Sequence, residues 1–208
     1  MWEGGCPNQT STRRRLREPV DQQGSTNGAA LDRRDLHVLV GGVRAAPLRA
    51  KSIDADGAPV YPTYKPYYET LEPLALTQTQ VFDGEEFVTR FLSVKNVILN
   101  VSSVVWRREA LVRARAGCRS ELSQDKMAGD WRLYVQSLMS PDAKIAYVTD
   151  PLNVHRRHSK SVTHSLDARQ HLNEIARVHK AVRQDFLLSP EKRVAQTKYL
   201  AELSEQLH

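Results

Sequence analysis

The composition of the chain breaks near residue 50, and that break limits which residues can share a core. Residues 1 to 50 contain no Phe, Tyr, Ile or Lys, whereas all seven tyrosines and all four phenylalanines fall after residue 60. Large apolar and aromatic side chains supply most of the area a core removes from water, so folding is expected to concentrate beyond the break. Before it the basic charge is carried by Arg ("RRRLR", "DRRD"), with Gly, Ser, Thr and Gln between, and only "LHVLVGGV" at 36 to 43 resembles a strand. Residues 1 to about 35 are therefore expected to be disordered, within a head of residues 1–50 that is disordered or foreign to the fold after it.

The 208 residues suffice for one large domain or two small ones. Hydrophobic residues at 40% and charged residues at 26% are globular values, which excludes disorder throughout. Thirty Lys and Arg against 24 Asp and Glu leave a formal charge of +6. That is a mild bias toward polyanions: nucleic acid, anionic lipid or a nucleotide diphosphate. No transmembrane segment is visible, and "MWEGGCPNQTSTRRRLREP" lacks the apolar stretch of a signal peptide, so a cytoplasmic protein is expected. Cys6 and Cys118 stand without a CxxC partner, and neither a zinc site nor a disulfide framework follows from them.

Beyond residue 50 the patterns become regular. "SIDADGAPVYPTYKPYYETL" places Asp56-Gly57 between short β-prone pieces interrupted by prolines, which predicts a loop-rich hairpin. In "DGEEFVTRFLSV" Asp83 and Glu86 have the spacing of a capping box, with Phe87, Phe91 and Leu92 on one face behind them, and a helix is expected over about 84–94. The β-branched run ending at Val104, Val105 and Trp106 reads as a strand feeding a short helix that Gly117 closes. Trp131, Tyr134, Val135 and Leu138 have helical spacing, and "KIAYVTD" reads as a short strand. In the tail, Leu166, Leu172, Ile175, Val178, Val182 and Phe186 mark one helical stripe; Ser189-Pro190-Glu191 restarts a helix whose stripe is Val194, Leu200, Leu203 and Leu207.

Three places could carry chemistry. "PLNVHRRHSKSVTHS" gathers histidines and cations: His155 and His158 fall short of the three or four ligands of a zinc site, so the choice lies between a solvated basic loop and capture of an anion by Arg and His. His171 and His179 read as helix-surface residues and His164 as a loop residue. Asp130 in "AGDWRL" stands at a helix start, as an N-cap carboxylate or as a general base. Asp54-Ala-Asp56 spells DxD, a possible cation ligand pair, yet "DADG" also suits a tight turn on backbone grounds.

Taken in order, "KNVILNVSSVVWRREAL", "AGDWRLYVQSL" and "IAYVTDPLNVHRRHSKSVTHS" resemble the C-terminal, acceptor-side half of a family 2 glycosyltransferase with the GT-A fold. The resemblance spans roughly residues 52–165. It implies an α/β fold: a partial GT-A-like (Rossmann-like) mixed sheet with flanking helices over 51–164, followed by a C-terminal helical extension over 165–208. The first stretch resembles the strand and helix start on the acceptor side, which carries over to Asn100, Ser102 and Ser103. The second resembles the "ED" motif, with Asp130 as catalytic base, Trp131 beside it on the acceptor side, and Gly129 in place of the acidic neighbour. The third resembles the "RxH" element, so Arg156 and His158 would bind the diphosphate, with His155 where an aromatic residue is frequent.

The implied activity is inverting transfer of a sugar from a nucleotide-diphosphate sugar to an acceptor glycan or other hydroxyl. The family also uses a divalent metal, Mn²⁺ or Mg²⁺, bound through a DxD-type element. Where that element belongs, the chain reads "LVGGVRAAPLRAK" without an acidic residue, and no nucleotide-binding half precedes residue 51. The metal site is expected to be missing and the transferase truncated. The strands ending at Trp106 and Tyr147 would then keep an open edge or pair with "LHVLVGGV". Two other classes compete: a basic nucleic-acid-binding module built on "RRRLR" and "HRRHSK", though without stacking aromatics or a specific recognition motif, and a helical interaction module made by the tail.

Overall fold

The computed structural model describes residues 38–41, 52–61, 65–74, 76–149, 154–156 and 167–207. Expectations for the head apart from Val38–Gly41, for most of "PLNVHRRHSKSVTHS", for His158 and His164 and for Leu166 lie outside the described residues.

The chain folds as mixed α/β. Its larger sheet has the order β4-β6-β1-β5, where β1 is Val38–Gly41, β4 Gln80–Asp83, β5 Val104–Trp106 and β6 Lys144–Val148. β1 is the strand that "LHVLVGGV" foreshadows. It lies parallel to β6, Val38 opposite Ile145, and antiparallel to β5, Val38 opposite Trp106. The strands ending at Trp106 and Tyr147 therefore do find a partner, and it comes from before the compositional break. β4, absent from the sequence-based expectation, closes the other side antiparallel to β6. Ile145, Ala146 and Tyr147 are all buried, as a central strand requires.

A second sheet, β3-β2-β7, joins the hairpin β2 (Ser52–Ile53) and β3 (Pro59–Tyr61) to β7 (His155–Arg156), which runs parallel to β2. The hairpin turn is made by "DADG": Asp54 Oδ1 accepts the amides of Asp56 (2.9 Å) and Ala58 (2.8 Å), and Gly57 takes φ +91°. A short helix α1, Lys65–Glu69, follows.

Strand β4 runs straight into α2, Gly84–Phe87, which widens to a π-helical turn over Val88–Leu92, the Ser93 amide reaching the Val88 carbonyl at 2.7 Å. The expected capping box is not formed. Asp83 makes no side-chain cap and instead pairs with Lys144 (3.3 Å) across the β4-β6 register, while Glu86 turns to Arg90. Phe82, Phe87 and Phe91 pack edge to face with centroids 5.2 to 5.6 Å apart. Gly84 is glycine because of its neighbours: a Cβ there would lie 2.7 Å from the Leu138 carbonyl oxygen and 2.9 Å from Ala143 Cβ.

Helix α3, Arg108–Gly117, leads through α4, Arg119–Gln124, into α5, Gly129–Ser137. Gly117 ends α3 as its last residue. Its small size also answers to packing, since a Cβ would meet Gln136 Nε2 of α5 at 2.8 Å. Two long helices complete the chain, α6 (Ala168–Asp185) and α7 (Pro190–Leu207). Ser189 caps α7 through the Lys192 amide, as its sequence foretells. Ile175, Val178 and Val182 of α6 are buried in the common core with Trp131, Val135 and Phe91. The α7 stripe is displaced from expectation: Val194 is exposed, and Gln196, Tyr199, Leu200 and Leu203 face inward.

Replacing Gly84 by alanine should destabilise the fold by about 2 kcal/mol, the scale of overpacking against a backbone that cannot retreat. Urea unfolding of G84A measures it; wild-type stability would show that β6 and α5 can separate to admit a methyl group.

Candidate functional site

Asp130 sits in the first turn of α5, and its surroundings are assembled from elements distant in sequence. Ala128 is the N-cap position and has no side chain to cap with. The expected N-cap role of Asp130 is thus not what the helix uses. Its Oδ1 accepts the next amide, that of Trp131, at 2.6 Å, and the side-chain amide of Asn96 lies on the same side and favours the charged carboxylate. Asn96 is oriented for this by its own oxygen, which accepts the Ile98 amide at 3.0 Å, so its NH₂ is the end left to donate.

Burial pushes the Asp130 carboxyl up to about 6; the donors from Trp131, its own amide and Asn96 work in the opposite direction and are outweighed. A carboxyl titrating there is ionised at neutral pH and yet a stronger base than a surface aspartate, which suits removal of a hydroxyl proton. One turn on, Tyr134 is 1% exposed with a hydroxyl that has no hydrogen-bond partner among the described residues. Burial, with Asp130 nearby, raises that hydroxyl far above its usual range. Trp106, at the end of β5, stacks flat on the Tyr134 ring (5.4 Å, 18°).

The start of α5 is held from α6. Glu174 is fully buried, and its carboxylate accepts three successive amides: Lys126 (3.1 Å), Met127 (2.7 Å) and Ala128 (3.0 Å). Burial alone would raise this carboxyl, but the three amides and Gln170 (3.1 Å) more than offset it and hold it below the ordinary glutamate value. One turn further along α6, Arg177 Nε donates to Asp125 Oδ1 at 3.1 Å.

The segment bearing Asn96 is fastened just as closely. Gln196 donates to the Ser93 carbonyl (2.6 Å), the His179 ring nitrogen Nε2 bonds the Val94 carbonyl (2.7 Å), and the Tyr67 hydroxyl donates to the Asn96 carbonyl (3.0 Å). Tyr199 of α7 lies close enough to Tyr67 to help raise its hydroxyl. Lys95, almost buried, lies over the rings of Tyr67 (4.3 Å) and Tyr199 (5.3 Å). His179 corrects its sequence-based placement on a helix surface: it is fully buried, edge-on to Trp131. Its bond to a carbonyl makes Nε2 the protonated nitrogen, Nδ1 has no partner, and burial depresses the ring to about 4.

The remaining sequence candidates fall elsewhere. Trp131 is 2% exposed and donates its indole N–H to the Leu92 carbonyl (2.9 Å), so it braces the site from the core instead of lining an acceptor cleft. Asn100, Ser102 and Ser103 form a self-contained turn entering β5: Asn100 Oδ1 accepts the Ser102 amide (3.0 Å) and Ser103 Oγ donates to the Asn100 carbonyl (2.6 Å). Arg156 is exposed in β7, with Nη1 donating to the carbonyls of Asp54 (3.2 Å) and Ala55 (2.6 Å). Two local clusters result, one around Asp130 and one around the hairpin turn. Asn96, Glu174 and His179 were not foreseen; the signal open to sequence reading was the polar pair Glu174 and His179 inside the apolar stripe of Ile175, Val178 and Val182.

The hairpin turn does not fit a divalent cation. Asp54 Oδ1 already serves two amides, and the Arg156 guanidinium occupies the neighbouring carbonyl oxygens. Among the described residues no group of three or more His, Cys, Asp or Glu could hold a metal, and no helix is long and apolar enough to cross a membrane. Comparison of the chain with protein-family models, with curated proteins and with solved structures found no match.

Asp130 and His179 impose opposite pH dependences on stability. Raising the folded carboxyl from 3.8 to about 6 makes the native state the better proton binder in that window, so stability falls as pH rises through it. Depressing the folded imidazole from 6.5 to about 4 makes the unfolded state the better binder, so stability is full above 6.5 and falls as pH drops toward 4. D130N should therefore stabilise the protein at pH 8 by about 2 kcal/mol and leave it unchanged at pH 3.5, while H179Q should flatten the loss on acidification. Urea unfolding at several pH values tests both; destabilisation by D130N at pH 8 would contradict the assigned cause.

Proposed function

We propose that this chain is the acceptor-activating portion of a GT-A-like glycosyltransferase, with Asp130 as general base. The observation that carries the reading is the placement of the Asp130 carboxyl in the first turn of α5, its Oδ1 held by the Trp131 amide at 2.6 Å, with burial pushing it up to about 6. In an inverting transfer the carboxylate takes the proton of an acceptor hydroxyl as that oxygen attacks the anomeric carbon and the bond to the nucleotide diphosphate breaks. The departing diphosphate gathers negative charge and needs cationic donors. Under the resemblance that role falls to Arg156 and His158, with Arg156 set by the carbonyls of Asp54 and Ala55. No step is drawn through a metal, because the DADG turn is committed to its own backbone.

The apolar stripe of α6 is buried within the chain, which leaves a helical docking module without its principal surface and favours the transferase reading.

The test is sugar transfer by the full chain, supplied with a panel of nucleotide-diphosphate sugars and hydroxyl acceptors. Transfer should rise with pH through an ionisation near 6, and D130N should lower it about 100-fold or more while donor binding, read by calorimetry, persists. Failure of every donor to bind, or D130N transferring at the wild-type rate, would refute the reading.

A further inference from the structure

We infer that Glu174 is the positioning residue for Asp130, acting through the three backbone amides it binds and in concert with a second clamp from α7 onto the segment that carries Asn96. The inference rests on the reading of Asp130 as a base only for its functional meaning; the geometry stands apart from it.

Asn96 and Asp130 belong to two chain segments that meet at the carboxylate, outside regular hydrogen-bonded strands. Asp130 follows the loop 125–128, and Asn96 follows the irregular end of the π-helical turn. A loop carbonyl or amide fixed by nothing leaves its neighbouring side chain free to wander, and a positional error near 1 Å is enough to spoil a catalytic contact. Here both segments are fixed by the same helical pair. On the Asp130 side, Glu174 draws the amides of Lys126, Met127 and Ala128 onto one carboxylate, a concave set of donors that admits an anion in a single geometry. Arg177 fastens Asp125 immediately before them.

On the Asn96 side, Gln196 and His179 bind the carbonyls of Ser93 and Val94. Gln196 is itself oriented by Arg183 of α6 (2.9 Å). Tyr67, with Tyr199 close by, then reaches the Asn96 carbonyl. Trp131 closes the circuit: it follows Asp130 in the chain, donates to Leu92 and meets His179 edge-on. Tyr134 lies near Asp130 on its own helix, and the ionised Glu174 carboxylate is bound two residues before it at the Ala128 amide. E174Q therefore removes a nearby negative charge as well as the clamp, whereas Q170A leaves that charge in place and isolates the effect of position.

The experiment is a carboxyl titration of the full chain by NMR, with D130N used to assign the Asp130 signal and the Asn96 side-chain amide protons followed as reporters of the carboxylate. In the wild type the Asn96 amide signals should track the Asp130 midpoint. E174Q keeps one acceptor oxygen but loses the charge, and Q170A removes only the side-chain bond that steadies Glu174, so both should fold. Both should move the Asp130 midpoint by at least half a unit, Q170A less than E174Q, downward because a displaced helix start readmits water to the carboxyl and burial is the largest cause of its raised value. Q196A should weaken the Asn96 response with a smaller change in the midpoint.

A residue that only stabilises the fold would lower the unfolding midpoint in urea and leave the titration untouched. E174Q and Q170A that are folded, with the Asp130 midpoint and Asn96 response of the wild type, would overturn the proposal. Because the readout is a titration and not turnover, this result is independent of whether the chain transfers sugar.

Discussion

The buried carboxylate of Glu174 is the interaction on which the rest of the site depends. An ionised carboxylate deprived of water costs several kcal/mol unless donors replace the lost hydration. Three consecutive amides and the Gln170 side chain do so here. The Ala128 amide, buried at the helix start, would in turn be an orphan without it. Neither partner is tolerable alone, so α6 and the loop before α5 can be buried only together. This mutual requirement fixes where the chain past residue 165 must dock, and it makes the C-terminal helices part of the site and not an appendage to it.

The interior next to this clamp is arranged to keep its other titratable groups neutral. Asp130 prefers its proton and His179 refuses one, each for the same reason, that burial penalises the charged form. Near pH 5 both are uncharged and the interior bears little electrostatic strain. At neutral pH His179 is still neutral while Asp130 is ionised and carries the desolvation penalty. The site therefore holds an unfavourable charge at the one carboxylate positioned to accept a proton, and the binding of Glu174, Gln196 and His179 to the surrounding backbone supplies the stability that makes this tolerable.

Elements that follow from side-chain periodicity were legible in the sequence. Strands β5 and β6, the buried face of α5, the α6 stripe and the Ser-Pro-Glu start of α7 all announce themselves by spacing alone, and the strand at "LHVLVGGV" by its β-branched run. What was missed depends on partners far along the chain. Asp83 and Glu86 have capping spacing, yet Lys144 and Arg90 compete for them from across the sheet and along the helix. Gly117, by contrast, has the look of a stop signal and is indeed the last residue of α3. Glu174 and His179 sit where a stripe should be apolar. Such polar intrusions can be noticed in a sequence, but their partners are backbone amides and carbonyls, which no side-chain pattern identifies.

The surroundings of Asp130 also bear on which half of a transfer reaction this chain can support by itself. Every group that sets its position and its affinity for a proton comes from Tyr67, residues 92–98, residues 126–134 and helices α6 and α7. The head before the compositional break contributes to this region through β1, which pairs with β5 and β6 as backbone. Under the proposed transferase reading, proton removal from an acceptor would rest on these groups alone. Stabilisation of a departing diphosphate does not follow so directly, because Arg156 is exposed and its Nη1 is engaged by the carbonyls of the DADG turn. A diphosphate drawing on that guanidinium would compete with two neutral acceptors. A charged oxygen wins that competition when water is excluded, since charge-assisted hydrogen bonds are about twice as strong as neutral ones, and at an exposed surface the advantage shrinks. The limiting requirement at this end of the site is thus cover from solvent.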